Sequence, residues 1–321
     1  MKTKKIILAL LLIVSTSLNS FADIRPKDVE ELKKRKFVVC MLEEQDEALQ
    51  ALAKDPVKLK EYMKKIADYN TYVKKAFTKY WKQHTSIEYK TRSEMQKIIN
   101  DPELSKKYAY VTLFKWFIRS AGDTKIWEDT SPFFKSEIEY KDRYNGNSIN
   151  LDMEIYFAEA KRYRFTGVEF ANNGRYTESF EKERDFLTTY CPTEGEIYNA
   201  VNLLNSLVDE YGKDRNPYLR KCIMDYTPLL NGRMVYLLKD QVDSKVDPSK
   251  DFEGFPFKIK IVDKNEIEKL MVKPDPNFAF ARYMADGVLY FILPEKGQYC
   301  FVTYYPITVK SLKKSIKYYT K

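Results

Sequence analysis

Two stretches of this chain read alike, and that likeness limits its possible folds more than any other feature. Ile87-Glu88-Tyr89-Lys90-Thr91-Arg92-Ser93-Glu94-Met95-Gln96-Lys97-Ile98-Ile99 is matched 172 residues later by Ile259-Lys260-Ile261-Val262-Asp263-Lys264-Asn265-Glu266-Ile267-Glu268-Lys269-Leu270-Met271. Lys107-Tyr108-Ala109-Tyr110-Val111 is matched, 170 residues on, by Asn277-Phe278-Ala279-Phe280-Ala281, and Pro102 aligns with Pro274. Each copy opens on an alternating strand, passes into a short helix N-capped by Ser93 or by Asp263, and returns to a β-rich run. Upstream of each lies an apolar strand, Phe37 to Leu42 in the first and Met234 to Leu238 in the second. An order of β, β, α, β met twice predicts a mixed α/β (α+β) chain of two tandem related modules, each a mixed sheet with a β-meander and covering helices.

The copies differ in what they insert. Between its first two strands the first copy carries a helical insertion over about 43–84, with helices at Ala48 to Ala53, Leu59 to Ile66 and Tyr69 to Trp81. In the last of these Tyr69, Tyr72, Val73, Ala76, Phe77 and Tyr80 repeat at i, i+3, i+4, i+7, i+8 and i+11, the stripe of a helix laid on a sheet. The second copy has only the polar loop from Asp240 to Glu253 there. In the first meander, Ser136 to Asp142 and Ile149 to Phe157 flank Asn145-Gly146, a hairpin signal, and a further strand near Arg164 to Phe170 turns at Asn172-Asn173-Gly174. The second meander is shorter, Val288 to Leu293 and Tyr299 to Tyr304. Closing helices are expected at Glu194 to Tyr211 and Thr308 to Tyr319. The resulting division is a leader over 1–22, a first module over 23–213 and a smaller second module over 214–321.

Lys2, Lys4 and Lys5, the apolar run Ile6 to Val14, and Ser20-Phe21-Ala22 follow the order of a secretory signal peptide with a cut after Ala22. The polar residues from Ser15 to Ser20 end the apolar run well short of the ~20 residues a spanning helix needs. The leader predicts a periplasmic or secreted protein. The chain has 55 basic and 46 acidic residues, a formal charge of +9, and losing the three leader lysines leaves +6. That mild excess, without a basic block, argues against a nucleic-acid partner and leaves peripheral contact with an anionic membrane surface open. With 44% hydrophobic and 15% aromatic residues the chain has the material for a core.

The residue counts exclude several chemistries. A single histidine, His84, removes His-based triads, multi-His zinc sites and HExxH; following the Lys-rich end of a helix, it is expected at the surface or at the helix C-terminus, where a cation suits the helix dipole. Ten glycines include no GxG, no GxxxxGK and no GxSxG, so phosphate cradles and nucleophile elbows lack the residue they depend on, and no cofactor is expected. Four cysteines, Cys40, Cys191, Cys222 and Cys300, permit up to two bridges in an oxidising compartment, with spacing unable to choose the pairing. No CxxC is present, so no metal is expected.

Three features remain as candidate sites. Glu43, Glu44 and Asp46 follow the first strand at the edge where α/β sheets place ligands, and paired carboxylates there suit a hydrolase acting on cell-wall or extracellular polymer. The last helix sets Val309, Leu312, Ile316 and Tyr319 against Lys310, Lys313, Lys314 and Lys317, as in a helix lying on an anionic membrane or docked on its own sheet. Trp116, Phe117, Trp127, Phe133 and Phe134 gather in a stretch read as loop-rich, with Gly122 and Pro132, and are the candidate ligand-binding residues. The preferred expectation is a non-enzymatic envelope protein that binds a protein, peptide or glycan, with its oligomeric state unspecified by sequence.

Overall fold

The computed structural model describes residues 24–121, 124–129, 137–140, 148–159, 164–169, 191–253, 255–283 and 288–319. The elements run α1 (Pro26–Lys34), β1 (Lys36–Met41), α2 (Asp46–Leu52), α3 (Pro56–Tyr80), β2 (Ile87–Thr91), α4 (Arg92–Asn100), α5 (Pro102–Ser105) and β3 (Tyr108–Ala121). Next come β4 (Thr124–Asp129), β5 (Glu137–Tyr140), β6 (Ser148–Phe157), β7 (Arg164–Glu169), α6 (Glu194–Gly212) and α7 (Arg220–Met224). The second half continues with β8 (Met234–Leu238), α8 (Pro248–Asp251), β9 (Lys258–Val262), α9 (Lys264–Val272), β10 (Phe278–Tyr283), β11 (Val288–Leu293), β12 (Gln298–Tyr304) and α10 (Val309–Tyr319). Among the described residues no helix is long and apolar enough to cross a membrane.

The chain builds two mixed sheets, as the sequence reading expects. The first contains the path β2-β1-β3-β6-β7 and the second is β9-β8-β10-β11-β12. In both, the three strands before the meander are parallel and the last two are antiparallel. The registers agree residue by residue. Phe37 lies between Ile87 and Ala109, and Val235 between Ile259 and Ala279, which are the pairs aligned in sequence at offsets of 172 and 170. Even the irregularity recurs: Ile155 pairs Thr166 and Tyr156 pairs Arg164, passing over Phe165, while Phe291 pairs Phe301 and Ile292 pairs Tyr299, passing over Cys300. One extra residue at the same place in each ladder is a β-bulge, which adds twist where the meander leaves the parallel strands.

Alternation divides each sheet into two faces. In the first sheet Ala109, Val111 and Leu113 join the core beneath α3 and α6, while Tyr108 and Tyr110 pack with Met95, Ile98 and Ile99 of α4. In the second, Ala279 and Ala281 pack with Leu312 of α10, and Phe280 joins Ile267, Leu270 and Met271 of α9.

Several local expectations are corrected. The two helices expected between 59 and 81 are one 25-residue helix, α3, because Tyr62, Ile66, Tyr69 and Val73 continue a single buried stripe through Ala67 and Asp68 with no breaker between. Thr91, not Ser93, caps α4; its hydroxyl accepts from the Glu94 amide and the Glu94 carboxylate returns to the Thr91 amide. Asp263 caps α9 as expected. Of the strands expected to flank Asn145-Gly146, β5 pairs with β4 and β6 with β3. Both Asn145-Gly146 and Asn172-Asn173-Gly174 lie outside the described residues.

The two sheets meet through α6. Fifteen of its residues, from Gly195 to Tyr211, are buried, and it packs on α1, α3 and β7 on one side and on α9 and β12 on the other. Its N-terminus is seated by the second module: the Thr193 hydroxyl donates to Glu268 Oε2 at 2.7 Å and the Gly195 amide to Oε1 at 2.6 Å, a carboxylate placed on the positive end of a helix. Further along, Asn202 Nδ2 donates to the Pro294 carbonyl at 2.8 Å, and Asn205 Oδ1 accepts from the Lys82 amide at 2.8 Å.

Candidate functional site

Among the described residues the first sheet has two strands more than the second, β4 and β5. β3 runs for 14 residues against six in β10, and only its start, Tyr108 to Val111, pairs with β1. β6 occupies one edge of β3 from Ala109 to Ile118, so β4 lies along the other edge beyond the end of β1, and β5 adds to β4. The stretch read as loop-rich is therefore strand across 108–121 and 124–129. Trp116, Phe117 and Ile118 are residue types that favour a pleated surface.

Register sorts the candidate residues. Trp127 pairs with Ile118 on one side and Ile138 on the other, and Trp116 lies two positions from Ile118 on the same strand, so Trp116, Ile118, Trp127 and Ile138 occupy one face. Phe117, opposite Glu128, falls on the other face. Phe133 and Phe134 lie outside the described residues. The face of Trp116 and Trp127 is the one on which α4 and α5 cover β1, β2 and the start of β3.

The carboxylates expected after β1 divide differently. Glu43 adds to the Thr91 cap of α4, with Oε1 accepting from the Ser93 amide at 2.9 Å and Oε2 from the Ser93 hydroxyl at 3.0 Å. Glu44 is exposed, and Asp46 begins α2. Beside them Arg92 Nη2 donates to the Leu113 carbonyl at 2.9 Å, and burial lowers its pKa. Burial also pushes the Cys40 thiol up to about 12, so this cysteine is a protonated, apolar core residue, and Cys191 rises to about 11 for the same reason. None of the four cysteines is bridged. Among the described residues no group of His, Cys, Asp and Glu is placed to hold a metal ion.

His84 lies just past the C-terminus of α3, as one of its two expected positions has it, but not as an exposed surface cation. It is half-buried, stacked on Phe37 with ring centroids 4.6 Å apart, with Nδ1 accepting from Trp81 Nε1 at 3.1 Å and Nε2 2.9 Å from the Leu32 carbonyl. The indole N–H can only donate and the carbonyl can only accept, so the network assigns the neutral tautomer with its proton on Nε2. Burial, with Lys33 nearby, lowers its pKa below the ordinary 6.5, although the bond to Leu32 opposes this. The unfolded chain then takes up the proton first as pH falls. Stability present above about 6.5 declines as pH drops from there toward the folded-state pKa. With one histidine in the chain, the imidazole signals in an NMR titration of folded protein belong to His84. Their midpoint is expected below that of the unfolded chain, and an equal or higher midpoint would contradict the network.

Helix α10 docks on its own sheet. Leu312 and Ser315 are buried, the Ser315 hydroxyl lies 3.2 Å from that of Thr303 on β12, and Lys310, Lys313, Lys314 and Lys317 are exposed. It follows β12 as α6 follows β7, but where α6 is buried on both flanks α10 turns lysines outward.

A second polar cluster closes the far end of α6. The Glu210 carboxylate is buried; Oε1 accepts from the Tyr226 hydroxyl at 2.8 Å and from Lys213 Nζ at 2.9 Å. Arg215 Nε stands 3.0 Å from Oε2 as an ion pair, off the line of a hydrogen bond. The adjoining recess, lined by Glu210, Cys222, Tyr226 and Gln298, encloses about 10 Å³, the space of roughly one water molecule. This cluster secures the connector between the modules: a carboxylate near a helix C-terminus is unfavourable on its own, and two cations and a phenol offset it.

Sequence reasoning had no sight of Glu268, Glu210 or the two-sided burial of α6. A signal existed in Asn199, Asn202 and Asn205, spaced by three along an apolar helix, because an ordinary amphipathic helix does not carry polar residues toward its core. No family model, curated protein or solved structure matches this chain.

Proposed function

We propose that this chain is an exported, non-enzymatic envelope protein, periplasmic or secreted, that binds a protein, peptide or glycan partner through the β3–β4–β5 extension of its first module. The observation that carries the reading is the coincidence of two facts. The extension is the part of the first sheet without a counterpart in the second, and it holds Trp116 and Trp127 on one face. Additions to a recurring scaffold gather on the face that meets partners, since the scaffold itself already satisfies its core. The leader pattern at 1–22 supports the location, and the absence of GxG-type and multi-His motifs from the sequence supports a binding role over catalysis.

Two of the three tryptophans lie on the extension and the third, Trp81, is buried in the first core, so tryptophan emission reports chiefly on the extension when a partner covers it. Titration with soluble cell-wall glycan fragments, and separately with fractionated envelope proteins, is expected to give a saturable emission change with one fraction. Replacing Trp116 and Trp127 together by alanine is expected to weaken capture of that partner, measured on the immobilised mature chain, at least about tenfold. Undiminished capture by the double variant would remove the extension from the reading.

A further inference from the structure

Arg282 is the one described charged side chain whose burial lacks any visible compensation. It lies on β10 with 5% of its surface exposed, on the same face as Phe280 and opposite Tyr290 of β11. Neither Nη1 nor Nη2 has a hydrogen-bond partner, and among the described residues no carboxylate pairs with it. Glu210 has Lys213, Arg215 and Tyr226; Glu268 has the α6 N-terminus; Arg92 has the Leu113 carbonyl. A guanidinium withdrawn from water without an anion is strongly unfavourable, so its place in a packed sheet implies a counter-charge.

The fold does not demand this arginine. The corresponding position of the first sheet, 170 residues earlier, is Thr112, also buried, with its hydroxyl 3.4 Å from the Leu113 carbonyl. Arg282 also stands near the carboxyl end of the parallel strands β8 and β10, the edge of an open α/β sheet where ligands settle. We propose that Arg282 anchors a binding site in the second module for a small oxyanion, a carboxylate or phosphate group of a diffusible ligand, held by the two free N–H edges of the guanidinium. Two parallel N–H donors match two oxygens of such a group, which a lysine ammonium does not.

The test is thermal unfolding of the full mature chain in phosphate, in acetate and in chloride at matched ionic strength, with Arg282→Met beside the wild type. The wild type is expected to melt at least about 2 °C higher in phosphate or acetate than in chloride. Arg282→Met is expected to melt no lower than the wild type in chloride, because a buried unpaired charge has been removed, and to show no response to either anion. Arg282→Lys, which keeps the charge but loses the fork, is expected to retain less than half of the wild-type shift and serves if the Met variant fails to fold. Equal shifts in wild type and variants, no shift in either anion, or a markedly lower melting point of Arg282→Met in chloride would each overturn the site. So would a destabilisation by Asp286→Asn that vanishes in the Arg282→Met background, since the counter-charge would then belong to the chain itself.

Discussion

Replacing Gly297 by alanine is expected to destabilise the protein by about 3 kcal/mol or more, while the same change at Gly232 costs about 1–2 kcal/mol. Both glycines hold positive φ, 58° at Gly297 and 76° at Gly232, so both variants bear the cost of placing a Cβ in the left-handed region. They differ in what the new methyl meets. At Gly232 nothing lies within 4 Å, whereas at Gly297 it would stand 2.4 Å from the carbonyl carbon of Asn202, 2.5 Å from its oxygen and 2.6 Å from its Cγ. Those atoms belong to the backbone and base of a helix buried on both flanks, so α6 cannot step aside. The β11–β12 turn must lift instead, straining the bond from Asn202 Nδ2 to the Pro294 carbonyl. Denaturant unfolding of both variants isolates the contact as the difference between two left-handed glycines. Equal losses at the two positions would mean that the turn does not press on α6.

The sequence carried the architecture of each sheet because the relevant information is local and periodic. Ile87, Tyr89, Ile259 and Ile261 alternate, the helices that follow keep their apolar phase, and the offsets between the two similar stretches become the strand register itself. The apolar stripe of α3 was legible for the same reason. What failed depends on residues far apart in the chain. His84 looked like a surface cation because its sequence neighbours are Lys82 and Gln83, but its environment is made by Phe37 and Leu32, some fifty residues away. At the candidate site the residue types were readable and their arrangement was not. Composition gathered Trp116, Phe117 and Trp127 together, and only the register separates Phe117 from the other two. Arg282 was one arginine among many until burial set it apart.

Leu204→Ala is expected to cost about 2–5 kcal/mol and to weaken both modules together. Leu204 is fully buried on α6, within a core that runs from Phe37, Phe77 and Val111 in the first half to Ile267, Phe280 and Ile292 in the second. A chain division near residue 213 therefore does not divide this core. The helix that completes the first sheet also covers part of the second, and removing it would expose Phe280 and Ile292 to water. Cys40 in the first sheet and Cys300 in the second are both buried thiols, so pulsed thiol labelling read by mass spectrometry follows the opening of each sheet separately. In the wild type both are expected to become reactive at the same denaturant concentration, the mark of one cooperative unit, and Leu204→Ala should lower both midpoints equally. A shift confined to Cys40 would mean that α6 belongs to the first module alone and that the second stands without it. The contacts of Glu268 with Thr193 and Gly195, and of Gly297 with Asn202, argue for the shared unit, because each ties a turn of the helix to a different element of the second sheet's layer.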